Sequence, residues 1–339
     1  MLILTFSLCS IALAYIYVGF PLLVLLRGTL FSKPYQTRPF TPSVSVLIAA
    51  YNEEDCILAR IENLLALDYP TYMLEVLIAS DGSDDRTCEI VSNLDSPHVK
   101  LLELSRAGKG AALNAAAAAA NGDVLVFSDA NTHFAVNALR ELVQPFVDAQ
   151  VGGVAGNQIY TKSYHVGAAA DGEQAYWNFD RWLKQAQSAS GNVTSATGAI
   201  YAIRRWLFQP VPQFVMDDFF ISTGVPAQGY RLVFASKAIA LESVAADAHV
   251  EFQRKIRVAQ QGLAGVRLRS QLLNPLRHGW YAWQLLSHKV LRRMAIFPLL
   301  GLFTTNLLLL DRSVWFQMAI ALQGLFYVLA LQQFPARCL

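Results

Sequence analysis

The chain has 339 residues, of which 54% are hydrophobic and only 15% are charged, and its mean hydropathy is +0.33. This composition is too apolar for an ordinary soluble protein and predicts segments that lie in a membrane. The formal net charge of +2 does not indicate nucleic-acid binding. Four cysteines without paired spacing indicate neither a disulfide framework nor a metal site, in keeping with a reducing compartment.

The first 26 residues contain no charged side chain. About 20 apolar residues suffice to cross the hydrocarbon core of a bilayer. A cleaved signal peptide would need a basic amino-terminal region and a shorter apolar core, and both are missing. We therefore predict a retained transmembrane anchor over residues 1–27, followed by a polar linker over residues 28–41.

Four short apolar runs follow, and each predicts a buried β-strand that ends in a polar corner. They occupy residues 44–50, 74–79, 99–104 and 124–127. Helical patterns separate them, most clearly the alanine-rich stretch over residues 111–120. Strands that alternate with helices indicate an α/β fold with a mostly parallel sheet and helices on both faces.

The polar corners carry the candidate functional residues, because open α/β sheets bind ligands at the carboxyl ends of their strands. These residues are Asn52 and Glu53 after the first strand, Asp81 after the second, Lys109 after the third, and Asp129 after the fourth. Together they would suit a nucleotide that carries a diphosphate. Glu54 and Asp55 are better explained by the first turn of the next helix, where the helix dipole favours negative charge.

The fourth corner suits a hard divalent cation, since Asp129 is delivered by a strand end and Asn131 can offer a second oxygen. A turn that only ends the strand is the simpler explanation of the same residues. Two common nucleotide-binding loops do not fit this chain. Residues 108–113 lack the third glycine of the dinucleotide fingerprint, and the chain has no Gly-x-x-x-x-Gly-Lys-Ser/Thr loop.

Seven motifs, in this order along the chain, resemble those of family-2 glycosyltransferases, which have the GT-A fold. They are Ala50-Tyr51-Asn52-Glu53, Ser80-Asp81-Gly82-Ser83-Asp84-Asp85, Gly108-Lys109-Gly110 with Asn114, Ser128-Asp129-Ala130-Asn131, Thr197-Gly198-Ala199-Ile200-Tyr201, Met216-Asp217-Asp218-Phe219 and Gln253-Arg254-Lys255-Ile256-Arg257. The resemblance spans residues 42–260. It implies a catalytic domain over residues 42–250, with a donor half (42–135) and an acceptor half (136–250).

The resemblance implies that a sugar is transferred from a nucleotide diphosphate sugar with the help of Mg²⁺ or Mn²⁺. Asp129 and Asn131 then occupy the Asp-x-Asp metal position, where Asn131 contributes no charge. Asp218 stands at the position of the general base, and attack opposite the leaving group would invert the anomeric configuration. The implied substrate-binding residues are Ala50, Asn52, Glu53, Asp81, Lys109, Gly198, Asp217 and Arg257.

Two of these assignments keep alternatives. The acids Asp217 and Asp218 could simply cap a helix. The segment Arg254 to Arg257 resembles the Gln-x-x-Arg-Trp element of processive polysaccharide synthases, with Arg254 in place of glutamine and Val258 in place of tryptophan. Arg257 keeps its charge and could hold the diphosphate, while the missing tryptophan leaves processivity open. Asp81 matches the aspartate that binds the uracil and ribose portion of the donor.

The carboxyl-terminal region reads as a membrane module. Residues 251–293 are basic and amphipathic, which predicts helices in the plane of the interface, with His288 as a polar tip. Residues 294–335 are uncharged except for Asp311 and Arg312 and predict a transmembrane helical hairpin. Basic residues flank both ends of the middle region, so the positive-inside rule predicts that the catalytic domain lies in the cytoplasm. The chain is then a multi-pass protein of the plasma (inner) membrane.

We therefore predict a membrane-anchored, metal-dependent, inverting glycosyltransferase that uses a nucleotide sugar, UDP-linked by resemblance, and makes surface polysaccharide or glycolipid. Three spanning segments are few for a translocating synthase, which favours a lipid-linked or membrane-presented glycan acceptor, or else a homo-oligomer or synthase partner. Two alternatives stay open. One is transfer to a simple lipid such as diacylglycerol. The other is a catalytically silent membrane subunit of a synthase complex, which Asn131 favours and Asp129, Asp218 and Arg257 oppose.

Overall fold

The computed structural model describes residues 1–161, 168–243 and 248–332. Within these residues the strands are β1 Val44–Ala50, β2 Leu74–Asp81, β3 Val99–Leu104, β4 Val124–Phe127, β5 His133–Phe134, β6 Val151–Thr161, β7 Tyr201–Arg204 and β8 Arg231–Ser243. The helices are α1 Leu2–Ala14, α2 Phe20–Leu30, α3 Ile57–Leu65, α4 Thr87–Ser92, α5 Lys109–Ala119, α6 Ala138–Val143, α7 Ala168–Ala189, α8 Asp217–Ala227, α9 Ala248–Leu268, α10 Pro275–His278, α11 Trp280–Leu285, α12 Ile296–Leu308 and α13 Val314–Gln332. The four strands predicted from the sequence are all confirmed, and the second runs on to Asp81.

These strands form one mixed sheet in the order β3-β2-β1-β4-β7-β6-β8-β5. Strands β1 to β4 are parallel to one another, whereas β7 runs antiparallel to both β4 and β6. Strand β6 is parallel to β8, and the short β5 is antiparallel to β8. The carboxyl ends of β1, β2 and β4 therefore meet at one edge of the sheet, as the alternation of strands and helices predicts.

Both faces of the sheet are covered, which explains why its strands are continuous apolar runs. On β1, Val46 and Ile48 point into a core shared with Ile61 of α3. Leu47, between them, points to the opposite face, where it joins Leu113 of α5. Each of these five side chains is at most 1% exposed. The expected arrangement of helices on both faces is thus confirmed.

The acidic corner after β1 differs from the prediction. Helix α3 begins at Ile57, and its first turn contains no acidic residue. Glu54 instead accepts hydrogen bonds from the backbone N–H and the Nε of Arg86, at 3.1 and 3.2 Å. The Glu54 N–H donates to Asp85 Oδ2 at 3.0 Å. The hydrogen bonds of Glu54 and Asp85 link the loop after β1 to the loop after β2. Because α3 begins after both Glu54 and Asp55, the first-turn interpretation of these two residues was wrong.

Helices α1 and α2 are joined by the π-helical turn Tyr15–Gly19. They form one apolar helix, Leu2–Leu30, which is long and apolar enough to cross a membrane by length and composition. The predicted linker behind it is pinned to the domain. The Lys33 N–H donates to the Ala189 carbonyl at 2.8 Å, and the Lys33 carbonyl accepts from Arg231 Nη2 at 2.6 Å. The Tyr35 hydroxyl donates to the Phe234 carbonyl at 2.8 Å.

The predicted hairpin over residues 294–335 corresponds to α12 and α13, with residues 333–335 outside the described part of the chain. The turn Leu310–Arg312 joins the two helices, and α12 packs against α1, where Gly301 adjoins Cys9. Helix α12 has 13 residues, about 20 Å at 1.5 Å per residue, and falls short of the roughly 30 Å hydrocarbon core. Among the described residues, only the helix Leu2–Leu30 is long and apolar enough to span. The multi-pass topology stays a prediction.

The segment predicted to lie in the membrane plane packs on the α/β domain over residues 280–291. The Tyr281 hydroxyl donates to the Thr194 carbonyl at 2.8 Å, and Gln284 Nε2 donates to the Asn192 carbonyl at 2.7 Å. His288 is buried and stacks on Phe20, with ring centroids 5.9 Å apart. Burial, together with the charge of a neighbouring lysine, lowers the pKa of His288 to about 3. Its prediction as an exposed interfacial tip was therefore wrong.

One close approach between loop and strand is testable. Gly122 donates its N–H to Ser45 Oγ at 2.8 Å, and a Cβ at position 122 would lie 2.5 Å from the Ser45 nitrogen. We expect Gly122→Ala to destabilise the fold by about 1–3 kcal/mol, because backbone atoms would have to move. Thermal unfolding in detergent measures the loss. Gly324→Ala, where a Cβ meets nothing within 4 Å, is the control, and equal unfolding temperatures for both variants would contradict the packing argument.

Candidate active site at the carboxyl edge of the sheet

Lys109 joins two acids that are far apart in sequence. It is the first residue of α5, Asp129 follows β4, and Asp217 begins α8. Lys109 Nζ lies 2.6 Å from Asp129 Oδ1 and 3.4 Å from Asp217 Oδ2. Burial disfavours the ammonium, but the charges of Asp129 and Asp217 prevail and hold the pKa of Lys109 above its ordinary value. Burial likewise disfavours the Asp129 carboxylate, yet Lys109 prevails and holds the pKa of Asp129 below its ordinary value.

Asp218 follows Asp217 in sequence but differs in its electrostatic environment. Its Oδ1 accepts the N–H of Phe219 at 2.6 Å in the first turn of α8. Burial and the adjacent charge of Asp217 raise the pKa of Asp218 to about 6, although Lys109 and Lys289 oppose the shift. The helix N-cap is Met216, which makes no side-chain cap bond. Asp217 thus pairs with Lys109, whereas Asp218 is a buried carboxylate of raised pKa.

Gly198 leaves Asp129 open on one side. A Cβ at this glycine would lie 3.2 Å from Asp129 Oδ2. The loop is held in place by Ser128, whose Oγ donates to the Ala199 carbonyl and accepts from Arg60 Nη2, both at 2.8 Å. The sequence prediction of Gly198 as a site residue thus corresponds to direct proximity between this loop and Asp129.

Arg60 is a site residue that sequence reasoning missed. It is 2% exposed and stacks over the ring of Phe134, 4.1 Å from its centroid. Burial lowers the pKa of Arg60 to about 9, although the charge of Asp129 opposes the shift. A signal was present, since Arg60 falls between Ile57 and Ile61 on the buried face of α3, where an arginine is rare unless it is hydrogen-bonded.

Asp81 is buried beneath the loop that leads to Lys109. It accepts the N–H groups of Ala107 and Gly108 at 2.7 and 2.9 Å, and Arg106 Nη1 lies 3.3 Å from its Oδ2. Gly108 has φ +96°, a backbone conformation that L side chains rarely adopt. In this structure Asp81 therefore fixes the start of α5 and, through it, the position of Lys109.

Asn52 and Glu53 shape the neighbouring corner. Asn52 has φ 54° and exchanges two hydrogen bonds with Asp84, at 2.6 and 3.0 Å. Glu53 donates its N–H to Thr87 Oγ1 at 2.9 Å and accepts from the Cys56 thiol at 3.1 Å. The polar groups of both predicted ligand residues thus face protein partners. Ala50 is buried at the end of β1, and Asn131 is exposed in the turn after Asp129.

The basic element on α9 is arranged differently from the prediction. Arg257 is exposed, whereas Arg254 is partly buried and donates from Nη2 to the Tyr160 hydroxyl at 2.9 Å. The charge of Arg254 helps to lower the pKa of Asp129, behind the larger effect of Lys109. Glu242, which accepts a hydrogen bond from Gln158, lies in the same neighbourhood, and burial raises its pKa. The structure brings Arg254 towards Asp129 and leaves Arg257 at the surface.

The donor set suits a divalent cation that is shared with substrate phosphates. Among the described residues, no group of three or more His, Cys, Asp or Glu side chains could hold a metal ion by itself. Mg²⁺-type ions use one or two protein carboxylates and complete their shell with phosphates and water. Asp129 supplies such a carboxylate, open on the Gly198 side. The ammonium of Lys109 already neutralises its other oxygen, which marks this position as one that accepts a cation.

The part of the chain that forms most of this site is a domain of a known class, the family-2 glycosyltransferases. The profile of the family described as Glycosyl transferase family 2 matches residues 45–210. This range contains strands β2 to β4 and all but the first residue of β1, together with Asp81, Lys109, Asp129 and Gly198. The resemblance seen in the motifs is therefore confirmed for this part of the chain.

Particular relatives agree with this assignment. The chain is 31% identical over 195 residues to the beta-monoglucosyldiacylglycerol synthase of Trichormus variabilis, covering 52% of the chain and 40% of that protein. It is 28% identical over 247 residues to the poly-beta-1,6-N-acetyl-D-glucosamine synthase of Staphylococcus aureus, covering 70% of the chain and 58% of that protein. The chain thus spans about half the length of these curated relatives.

A solved structure supports the fold. The mannosyltransferase PcManGT from Pyrobaculum calidifontis, in complex with GDP-Man and Mn²⁺, superposes with a TM-score of 0.75 at 22% identity. The match covers 96% of this chain and 92% of that one. The predicted GT-A-like α/β sheet with flanking helices is confirmed by this comparison.

The tight approach of Gly198 to Asp129 gives a prediction about the site. We expect Gly198→Ala to lower kcat/KM by about 10-fold. The Asp129 carboxylate would have to shift by a few tenths of an ångström, and a shift of about 1 Å at a reacting centre can cost about 100-fold. Steady-state kinetics with a titration of Mn²⁺ measures the effect.

Thermal unfolding of the same variant serves as the control, and we expect its midpoint to change little. Wild-type kinetics in Gly198→Ala would contradict the proposed importance of the open side of Asp129.

Proposed function

We propose that this chain is a membrane-anchored enzyme that transfers a sugar, with inversion, from a UDP-linked sugar to a membrane-associated acceptor in the synthesis of surface polysaccharide or glycolipid. One observation carries the proposal. A carboxylate of raised basicity, Asp218, lies next to an acid, Asp217, that the same lysine links to the candidate metal ligand Asp129. This arrangement supports the proposal of a proton acceptor beside a site for a leaving diphosphate.

The donor is held on the Asp129 side. Asp129, with Asn131 in the following turn, would hold Mg²⁺ or Mn²⁺, which when bound stabilises the negative charge of the leaving diphosphate. Lys109 and Arg254 add positive charge to the same region. Asp81 and Asn52 order the loops that form the nucleotide side of the crevice, and Gly198 leaves room beside the carboxylate of Asp129.

The acceptor is activated on the Asp218 side. An acceptor hydroxyl attacks the anomeric carbon, the new C–O bond forms, and the bond from that carbon to the diphosphate oxygen breaks. The hydroxyl proton passes to Asp218, and the electron pair of the broken bond leaves with the nucleotide diphosphate. Displacement from the face opposite the leaving group inverts the anomeric configuration and needs no covalent intermediate.

In this proposal the helix Leu2–Leu30 anchors the protein in the membrane. The catalytic domain then faces the cytoplasm at the plasma (inner) membrane, with α12 and α13 beside the anchor. The acceptor is a lipid-linked or membrane-presented glycan, and a homo-oligomer or a synthase partner would supply a pore for a long product. Transfer to a simple lipid is a second candidate, favoured by the likeness to a beta-monoglucosyldiacylglycerol synthase.

The role of Asp218 can be tested by Asp218→Asn. We expect the variant to lose about 10²–10⁴-fold in turnover, because the general base is removed while the volume of the side chain is kept. Nucleotide release from UDP-sugars with Mn²⁺ in detergent measures turnover, and calorimetry measures donor affinity, which we expect to be retained.

Asp95→Asn, at an exposed acid, is the matched control and should behave as the wild type. Full turnover in Asp218→Asn would contradict the role of this residue. Absence of donor turnover in the wild type would favour the catalytically silent subunit.

The raised pKa of Asp218 predicts the acidic limb of the pH profile. The base must be deprotonated, so activity is present above pH 6 and is lost as the pH falls through about 6, the pKa of Asp218. An ordinary aspartate would shift this limb to roughly pH 4. The profile of kcat/KM for the acceptor measures the midpoint, and a limb near pH 4 would contradict the assignment.

A further inference from the structure

Two cations outside the donor site are incompletely neutralised. Lys289 belongs to the π-helical turn Leu286–Leu291, and Arg293 follows it before α12. Both are partly buried, and neither forms an ion pair with a described residue. Arg293 lies against Gly262 of α9, where any side chain would collide with its guanidinium, and its Nη1 donates to the Lys289 carbonyl at 3.4 Å. The glycine thus makes room for the arginine beside the lysine.

The charges around Lys289 and Arg293 leave an excess of positive charge at this pair. Lys184 is neutralised by Asp180 at 2.9 Å, and the buried His288 is uncharged at neutral pH. Burial and the neighbouring Arg293 lower the pKa of Lys289 to about 8, which is the cost of holding the lysine without a close carboxylate. Arg292 is a further nearby cation that has contacts of its own.

The proposed base lies near the same pair. Gly262 of α9 adjoins Arg293, and Gly265, one turn further along α9, adjoins the ring of Phe219, the residue after Asp218. The charge of Asp218 favours the charged form of both Lys289 and Arg293, although burial is the larger influence on each and Asp180 favours charged Lys289 more strongly than Asp218 does. Asp218 is already influenced by Lys109 on the donor side. The two cations therefore adjoin the acceptor side of the crevice, while Asp129 and Lys109 occupy the donor side.

We propose that Lys289 and Arg293 bind a phosphate group on the acceptor, so that the acceptor is a membrane lipid that carries a phosphate near its reactive hydroxyl. This inference rests on the proposed function, because it assumes that Asp218 activates the acceptor. The phosphate supplies the negative charge that the pair lacks and makes charge-assisted hydrogen bonds with it. The hydroxyl that loses its proton to Asp218 belongs to the same molecule, and the phosphate itself is not transferred.

The position in the chain favours a lipid. Arg293 stands three residues before Ile296, the first residue of the apolar helix α12. That helix packs on α1, the amino-terminal part of the candidate membrane anchor. A phosphate bound at this level would place a hydrocarbon chain beside apolar helices, whereas a free phosphate ion would gain nothing from them.

The test uses the full chain in neutral detergent micelles, with dodecyl phosphate as the probe and intrinsic tryptophan fluorescence as the signal. Trp280 and Trp283 lie on the same segment as the cations. We expect dodecyl phosphate to bind at least about 10-fold more tightly than uncharged dodecanol or inorganic phosphate. Lys289→Gln and Arg293→Gln should each weaken it about 10-fold, the loss expected for one charge-assisted contact.

Matched controls separate charge from folding. Arg277→Gln removes an exposed cation on α10 and should leave binding unchanged, and Lys289→Arg should retain it. Unchanged dodecyl phosphate affinity in the Lys289→Gln/Arg293→Gln double variant would overturn the proposal. Equal binding of inorganic phosphate would overturn the lipid assignment.

Calorimetry with a UDP-sugar and Mn²⁺ keeps the two proposals distinguishable. We expect donor affinity to be unchanged in Lys289→Gln and Arg293→Gln, and a selective loss of donor affinity would overturn the acceptor assignment by placing these cations on the donor diphosphate. Failure of the wild type to bind or turn over any donor would defeat the proposed function, while the dodecyl phosphate titration would still report on the phosphate site.

Discussion

The ammonium of Lys109, held between Asp129 and Asp217, is the interaction on which the rest of the site depends. Two carboxylates from distant parts of the chain could not share one crevice at low cost without a cation between them. The position of that cation is set in turn by Asp81, which grips the backbone just before α5. Burial and the adjacent charge of Asp217 raise the pKa of Asp218, although Lys109 opposes the shift. In the proposed function, these ion pairs of Lys109 lie between the cation-binding side of the crevice and the side that accepts the proton.

Much of this architecture could be predicted from the sequence. The strands that carry the site are short, apolar and followed by polar corners, so local pattern alone located β1, β3 and β4 correctly. The order of the corners also placed Lys109 and Asp129 at one edge of the sheet. The division of labour between Asp217 and Asp218 was not predictable in this way, since it depends on which of two adjacent side chains meets a lysine from another element.

The errors in the carboxyl-terminal region have one physical cause. An aromatic and apolar face at helical spacing is the same whether it covers a membrane surface or a protein surface. Tyr281, Gln284 and His288 in fact cover the loop around Thr194, where Tyr281 and Gln284 satisfy backbone carbonyls. Arg60 was missed for the opposite reason, because a buried arginine on an apolar face contradicts the usual pattern.

The pinned segment after the anchor has a mechanical consequence. Because Lys33 and Tyr35 are hydrogen-bonded to the domain, the amino-terminal helix is rigidly attached to the domain and is not joined to it by a flexible tether. In the proposed membrane-anchored enzyme, this attachment would fix both the height and the tilt of the crevice relative to the bilayer. Substrates that differ only in the distance between their lipid and their reactive group would then be distinguished by reach, much as a ruler measures length, without any contact that reads their chemistry.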